Sequence, residues 1–351
     1  MTTPNQISKL KNLILRPFLA VTLGLGLGLA LTFAAGERPW HVLAILVKGA
    51  FGSSYDLGMT LFYTTPLIFT GLSVAVAFQA GLFNIGAEGQ LTLGALAAAA
   101  VGAVWPGLSA PLAPVLAGLA ALLAGTLWGA VPGWLRARRG SHEVITTIML
   151  NFVAAGLASY VALYLLANSQ SQNPETRPLG PSFLLHQFGM FGGAPVSTAL
   201  LLALVCAWLV WLLLWRMPLG FELRAVGRSE AAARGAGIDP GRIRIIALAL
   251  AGGLAGLVGV AEVLGNAGKF RVGFSPEYGF IGIAVALLGR NHPGGVIAAA
   301  LLFGALHKGA SELDLETEHV TRELSLVLQA LILLSVSADG LWDRLRARRN
   351  L

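Results

Sequence analysis

The chain is poor in charge. Only 12% of its 351 residues are Asp, Glu, Lys or Arg, while 56% are hydrophobic; soluble domains carry about 25% charged residues. The apolar residues come in long runs, not one-sided stripes, which excludes a soluble enzyme and indicates a multi-span membrane protein. Cysteine is almost missing. The single Cys206 lies inside an apolar run, so it forms no internal disulfide and no thiolate cluster. The six histidines contain no HxxxH pair, which leaves no metal site to argue for. GxSxG, HExxH, paired membrane aspartates and a Gly-rich loop ending in GK[ST] are all missing from the sequence. No catalytic, cofactor-binding or metal-binding residues are therefore expected, and energy for any active transport must come from a partner or an ion gradient.

What charge there is has a pattern. The net charge is +7, a value that in a soluble chain would suggest nucleic acid. Here the arginines stand at the edges of apolar spans: "LRARR" at 135–139, Arg216, Arg224, Arg228, Arg234, Arg242 and Arg244 between two spans, and "LRARR" again at 345–349. That is the positive-inside pattern, and no nucleic-acid partner is expected. Ten crossings are expected, approximately 17–36, 57–79, 86–105, 111–135, 144–167, 196–215, 241–264, 277–290, 294–310 and 322–341, in one all-α transmembrane unit over 1–351 with a core over about 55–341 and a loop at about 216–240. The eighth and ninth are short, as pathway-lining segments often are. The first resembles a signal peptide in its basic start, but its apolar stretch is about 19 residues, long enough to span. With both termini cytoplasmic, the three basic segments fall inside. The segment 168–194, with three prolines and Arg177, falls outside.

Four stretches break the apolar monotony. In "GFELRAVGRSEAAARGAGIDPGRIR" (220–244), Ser229 is placed to cap a helix over "EAAAR", Gly235 and Gly237 to end it, and Asp239 with Pro240 to start the next. A short charged helix between two spans suits either docking on another protein or lying among lipid headgroups. In "RGSHEVITTIMLN" (139–151), Ser141 is placed to cap and Glu143 to favour the helix start, and Thr147 and Asn151 share a face. These polar groups suit interhelical hydrogen bonds or a polar stripe on a pathway. The stretch 266–295 concentrates Phe270, Phe274, Tyr278 and Phe280, an interfacial aromatic belt or a stacking surface for a planar solute. Nearby Glu262 either snorkels to water or faces a cavity. In "GLFNIGAEGQ" (81–90), Asn84, Glu88 and Gln90 either line a translocation path or close a cytoplasmic turn. Gly252 and Gly256 have GxxxG spacing, for tight packing within the chain or at a dimer seam.

"GLFNIGAEGQLTLGALAAA" (81–99), "HEVITTIMLNFVA" (142–154), "AARGAGI" (232–238) and "GFIGIAVALLGRNHPGG" (279–295), in this order, resemble the permease subunits of bacterial ABC importers of the branched-chain amino acid and simple-sugar permease superfamily. The "FNIGAEGQ" wording is most similar to the nucleoside branch. The resemblance covers most of residues 55–340. It implies a bacterial inner-membrane permease working by ATP-driven alternating access, with nucleosides as solute and other sugar-containing solutes as the alternative. It implies as partners an ATPase subunit that holds ATP and Mg, a second homologous permease in a heterodimer, with a homodimer as the alternative, an extracytoplasmic solute-binding lipoprotein and membrane lipid. It makes 229–238 the coupling helix, with Arg228, Ser229, Glu230, Ala232, Arg234 and Gly237 as the ATPase-facing residues. The chain departs from the family pattern at one point: Glu230 lies seven residues before Gly237, where six is usual. Pathway residues expected are Asn84, Glu88, Gln90, Asn151, Phe274, Tyr278 and Phe280. An ion-coupled secondary transporter would instead call for acids in mid-span, and Glu88 and Glu262 stand near span ends.

Overall fold

The computed structural model describes residues 4–337. The second "LRARR" and the last part of the expected crossing at 322–341 lie outside these residues. The described chain is all-α, with isolated bridges (Ala167–Thr176, Glu175–Arg271 and Gln187–Ser197) as its only extended pairing. Its helices are α1 (Pro4–Ala34), α2 (Pro39–Phe51), α3 (Ser54–Gln79), α4 (Ala87–Val104), α5 (Leu112–Arg139), α6 (Glu143–Tyr160), α7 (Ala199–Arg216), α8 (Pro218–Arg228), α9 (Glu230–Gly235), α10 (Pro240–Gly256), α11 (Tyr278–Leu288), α12 (Pro293–Ala310), α13 (Leu313–Glu316) and α14 (Leu324–Ser337). Two of them change pitch: α6 runs on as a π-helical turn over Val161–Leu165, and α10 is followed by one over Val260–Ala267.

Eight helical stretches among the described residues are long and apolar enough to cross a membrane, and three shorter apolar helices, α2, α11 and α14, accompany them. The expected ten crossings thus become eight full-length candidates plus shorter pieces. Helix α2 was not foreseen. It follows the Glu37 turn, whose carboxylate accepts from the Glu318 and His319 amides. It ends where Thr60 of α3 bonds the Ala50 carbonyl.

Local chemistry explains the ends and the breaks. Ser53 caps α3 by accepting from the Asp56 amide at 3.1 Å. Pro66 sits inside α3, where it leaves the Phe62 carbonyl without its helical N–H partner, and Thr70 Oγ1 donates to the Pro66 carbonyl at 3.1 Å. The expected cap at Ser141 is not made: His142 occupies that position without a side-chain bond. Asp239 caps α10 through the Gly241 amide at 2.8 Å, with Pro240 in the first turn.

The core seam is built from missing side chains. A Cβ on Gly252 would lie 2.1 Å from the Gly125 carbonyl oxygen, and one on Gly125 would lie 2.2 Å from that of Gly252. Gly256 likewise faces Gly125, and Gly129 faces Leu248 and Gly252. The GxxxG pair therefore packs α10 on α5 within the chain, backbone on backbone. Gly256 also meets Gly94 of α4, and Gly259, just beyond α10, meets Ala95. This sandwich fixes α4, α5 and α10 as one block, and α10 carries Glu262 from it to the edge of a cavity.

Candidate functional site: a helix junction and an adjoining cavity

The segment 81–90 begins at the end of the bundle that carries α8 and α9, where Gly81 packs on Gly227. It then climbs inward before α4 starts. Eight residues into α6, about 12 Å from the start of that helix, Asn151 grips it. Its Nδ2 donates to the Ile85 carbonyl at 2.9 Å and its Oδ1 accepts from the Gly89 amide at 2.8 Å. Asn84 and Gln90 bond each other twice, at 2.8 and 3.0 Å, and Asn84 also donates to Ser73 at 3.2 Å. Both are buried. The threonines behave otherwise: Thr146 and Thr147 bond carbonyls of their own helix four residues back. Of the two readings open for them, they do not take the interhelical one, because such back-bonds need no partner.

Helix α11 meets α4 here, N-terminus to N-terminus. Glu88 Oε2 accepts from the Gly279 amide at 2.8 Å, and the Ser275 hydroxyl is also within its reach. A Cβ at 279 would stand 2.4 Å from the Glu88 amide nitrogen, so only glycine fits. A carboxylate between two helix N-termini is favoured by both helix dipoles and satisfies an amide that the helix leaves unpaired. Helix α11 is 11 residues long, about 16 Å, roughly half of a hydrocarbon core. It ends where Gln79 Nε2 donates to the Asn291 carbonyl at 3.2 Å, back at the α8–α9 end. The eighth expected crossing is therefore a half-length helix that starts inside the bundle.

Next to this junction, towards the 168–198 end, lies a cavity of about 290 Å³. Aromatic side chains form its walls: Phe62 and Tyr63 of α3, Phe274, Tyr278 and the imidazole of His307 on α12. Tyr63 and His307 pack edge to face with centroids 4.4 Å apart. Glu262, in the π-helical turn after α10, also lines it, together with Asn266 one turn on. The Tyr278 hydroxyl and the Asn266 amide approach the Glu262 carboxyl, yet its Oε1 has no hydrogen-bond partner among the described residues. Lys269 and Arg271 stand at the rim. Both pair with Glu175 of the loop segment, Lys269 at 2.7 Å and Arg271 at 3.6 Å. The Lys269 hydrogen bond, followed by the Ser171 hydroxyl, holds the Glu175 carboxyl below its ordinary value. One residue beyond His307, Lys308 is buried between Asp56 at 3.0 Å and Glu312 at 2.5 Å, which ties the starts of α3 and α13 to α12.

Of the expected pathway residues, Phe274 and Tyr278 line the cavity. Asn84, Gln90, Asn151 and Glu88 form the junction beside it. Phe280 does not join either group and lies exposed on the outer face of α11. The sequence reading missed Tyr63, Asn266 and His307. One signal was available: Glu262 and Asn266 are four apart and so share a helix face.

At the α8–α9 end, Ser229 Oγ accepts from the Ala232 amide and caps α9. Gly237, at φ +80°, ends the turn in the left-handed region. Arg228, Ser229, Glu230, Ala232, Arg234 and Gly237 are all exposed, and only Ala233 of the short helix is buried. Glu230 pairs with Arg244 of α10.

Residues 57–337 match the family model described as branched-chain amino acid transport system / permease component. Over 336 residues the chain is 36% identical to the guanosine ABC transporter permease protein NupP of Bacillus subtilis, covering 95% of each chain. It is 35% identical to the glucose ABC transporter permease protein TsgB13 of Haloferax volcanii, over 94% of this chain and 88% of that protein. The guanosine ABC transporter permease protein NupQ, also of B. subtilis, is 27% identical over 70% of this chain and 78% of its own length. No solved structure matches. A family match across nearly the whole helical bundle, together with eight membrane-length helices, makes this chain a multi-pass membrane protein that belongs to the branched-chain amino acid transport system permease family.

Proposed function

We propose that the chain is the membrane-spanning subunit of a binding-protein-dependent ABC importer that moves nucleosides across the bacterial inner membrane. The observation that carries this is the near full-length similarity to a guanosine permease, and the aromatic-walled cavity beside the α4–α11 junction supplies a place for a planar solute. ATP and Mg belong to a separate ATPase subunit. The exposed helix α9 docks on that subunit, and the link from Glu230 to Arg244 passes its movement to α10. In this chain Glu230 therefore faces its own permease, which fits its unusual spacing from Gly237. The existence of NupQ beside NupP in one bacterium supports a second, homologous permease as partner in a heterodimer. The segment 168–194 is the docking face for the solute-binding lipoprotein, with the α8–α9 end in the cytoplasm and the termini on that same side. A simple sugar is the second solute class, favoured by the similarity to TsgB13.

The test is to tag the chain, extract it gently from its own membrane and identify what co-purifies by mass spectrometry. A Walker A polypeptide and a second permease are expected. Arg234→Glu should lose the ATPase while the permease pair stays together. Repeated isolation of the chain alone, with transport that survives ATP depletion and stops with the ion gradient, would replace this reading with an ion-coupled transporter.

A further inference from the structure

We propose that the side of the chain between α6 and α11 lies against the second permease, and that Glu277 stands there in a water-filled path between the two subunits. The proposal rests on the paired-permease reading above and goes further, by naming the face that meets the partner and the residue that marks it. Two features of this side are incompatible with lipid.

The first is irregular backbone at membrane depth. Helix α11 starts at Tyr278, about 16 Å into the bundle from the α8–α9 end. Residues 268–277 therefore come down from the 168–194 end without helical structure, and 81–86 come up from the other end in the same way. The two segments meet where Glu88 accepts from the Gly279 amide. They are not fully covered: Glu277 is exposed, and Ile85, Ser275 and Pro276 are only half-buried. Irregular backbone at this depth is tolerated where protein buries it or where it lines water, not against lipid. The second feature is Glu277 itself. No ion pair engages it among the described residues, and the two cations of its own segment, Lys269 and Arg271, pair with Glu175. A carboxylate facing hydrocarbon is costly, and intramembrane acids face a bundle interior or water. The backbone adds weight. Glu277 sits at φ +65°, where glycine and asparagine are at home and other residues are strained. It occupies the N-cap of α11 without making the cap bond. Asparagine would serve better on both counts, so the carboxylate is not there for the backbone.

What covers this side is then protein and water. Glu88 of α4 bonds α11, while Gly89, next in the chain, is held by Asn151 of α6, so α6 and α11 flank a single turn of α4. Phe280, three residues past Glu277 and on the same face, is exposed, and so are Met149, Phe152 and Val153 of α6. A Cβ on Gly156 of α6 would meet nothing within 4 Å, whereas Gly94, Gly125 and Gly252 pack on facing backbone. A bare small residue of this kind suits the close approach of a helix from outside the chain. Helix α5 is the contrast: its exposed Leu119, Leu123 and Leu127 form a regular, uncharged stripe suited to lipid. Of the partners that the importer reading supplies, the ATPase and the lipoprotein stand outside the membrane. The second permease is the one that lies within it and can cover a face at this depth.

The experiment uses the complete importer in membrane vesicles. Cys206 is the single cysteine of the chain, so Cys206→Ala combined with Glu277→Cys, Phe280→Cys, Phe152→Cys or Leu123→Cys leaves one thiol in each variant. A charged thiol reagent that does not cross hydrocarbon is added on both sides of the membrane. A thiol must ionise to react, which water permits and hydrocarbon does not. In a second series, a benzophenone maleimide on the thiols at 280, 152 and 123 is photolysed and its adducts are identified by mass spectrometry. The expected result is full labelling of Glu277→Cys and loss of labelling in Leu123→Cys, with adducts to the second permease from 280 and 152 and to lipid from 123. If Glu277→Cys fails to assemble, the reagent is tested on Phe280→Cys. No labelling at either position, or lipid adducts from 280 and 152 in an importer that still holds two permeases, overturns the proposal. Adducts to a second copy of this chain would keep the seam and overturn only the heterodimer reading. An importer that purifies with no second permease brings down the paired reading itself, and the seam with it.

Discussion

Two groups of polar residues lie side by side within this apolar bundle, and they differ in how their hydrogen bonds close. At the junction, Asn84, Gln90, Asn151 and Glu88 bond one another or backbone groups of the facing segment. At the cavity, Glu262 keeps an oxygen without a partner. Polar groups inside a membrane protein cost free energy unless paired. The first group therefore holds helices in place, while the second lines a cavity with a carboxyl that is only partly paired.

The comparison is broken most severely by disturbing the junction. Gly279→Ala drives a methyl into the Glu88 backbone, and the misfit should cost about 1–3 kcal/mol and lower the unfolding temperature of the purified protein. Asn84→Leu strips Gln90 of both its bonds and should cost about 1–3 kcal/mol for the orphaned amide. The double variant Asn84→Leu with Gln90→Leu should cost less than the two single costs combined, as coupled partners do. Asn151→Ala should cost less, about 0.6–2 kcal/mol for each lost interhelical bond. Glu262→Gln should shift the unfolding temperature less than Asn84→Leu does, because one oxygen of its carboxyl makes no bond that could be lost. An unfolding shift for Glu262→Gln as large as that for Asn84→Leu would erase the distinction.

The smallest effect is expected at the rim. The Lys269 hydrogen bond lowers the Glu175 carboxyl below its ordinary value of 4.5. Its stabilising contribution is thus fully present above that value and is lost as pH falls through the lowered one. Limited proteolysis of the 168–198 segment should be unchanged from pH 7 to 5 and rise only at more acid pH. In Glu175→Gln that pH dependence should vanish.

Much of this was legible in the sequence because membrane chemistry writes in simple terms. Long apolar runs marked the eight membrane-length helices but not the shorter pieces, and Ser229, Gly237 and Asp239 marked both ends of α9 and the start of α10, since caps and left-handed turns demand particular residue types. The GxxxG pair announced close packing, but whether its partner lay in the chain or in another copy needed the fold, which set Gly125 and Gly129 opposite. Helix α2 was illegible because its 13 residues are too short for a span. The cavity was illegible for another reason. Tyr63, Glu262 and His307 come from three helices far apart in sequence, and no local pattern links them. The role of "GLFNIGAEGQ" lay between: its polar residues were visible, but that Asn84 and Gln90 close on each other depends on the chain returning past Ser73.

The most direct measurement is uptake of labelled guanosine into vesicles holding this permease, its partner permease, the ATPase and the binding protein. The account predicts uptake that requires ATP on the ATPase side, persists when ionophores collapse every ion gradient, and stops in Arg234→Glu. Uptake that continues without ATP and disappears with the ion gradient would contradict it.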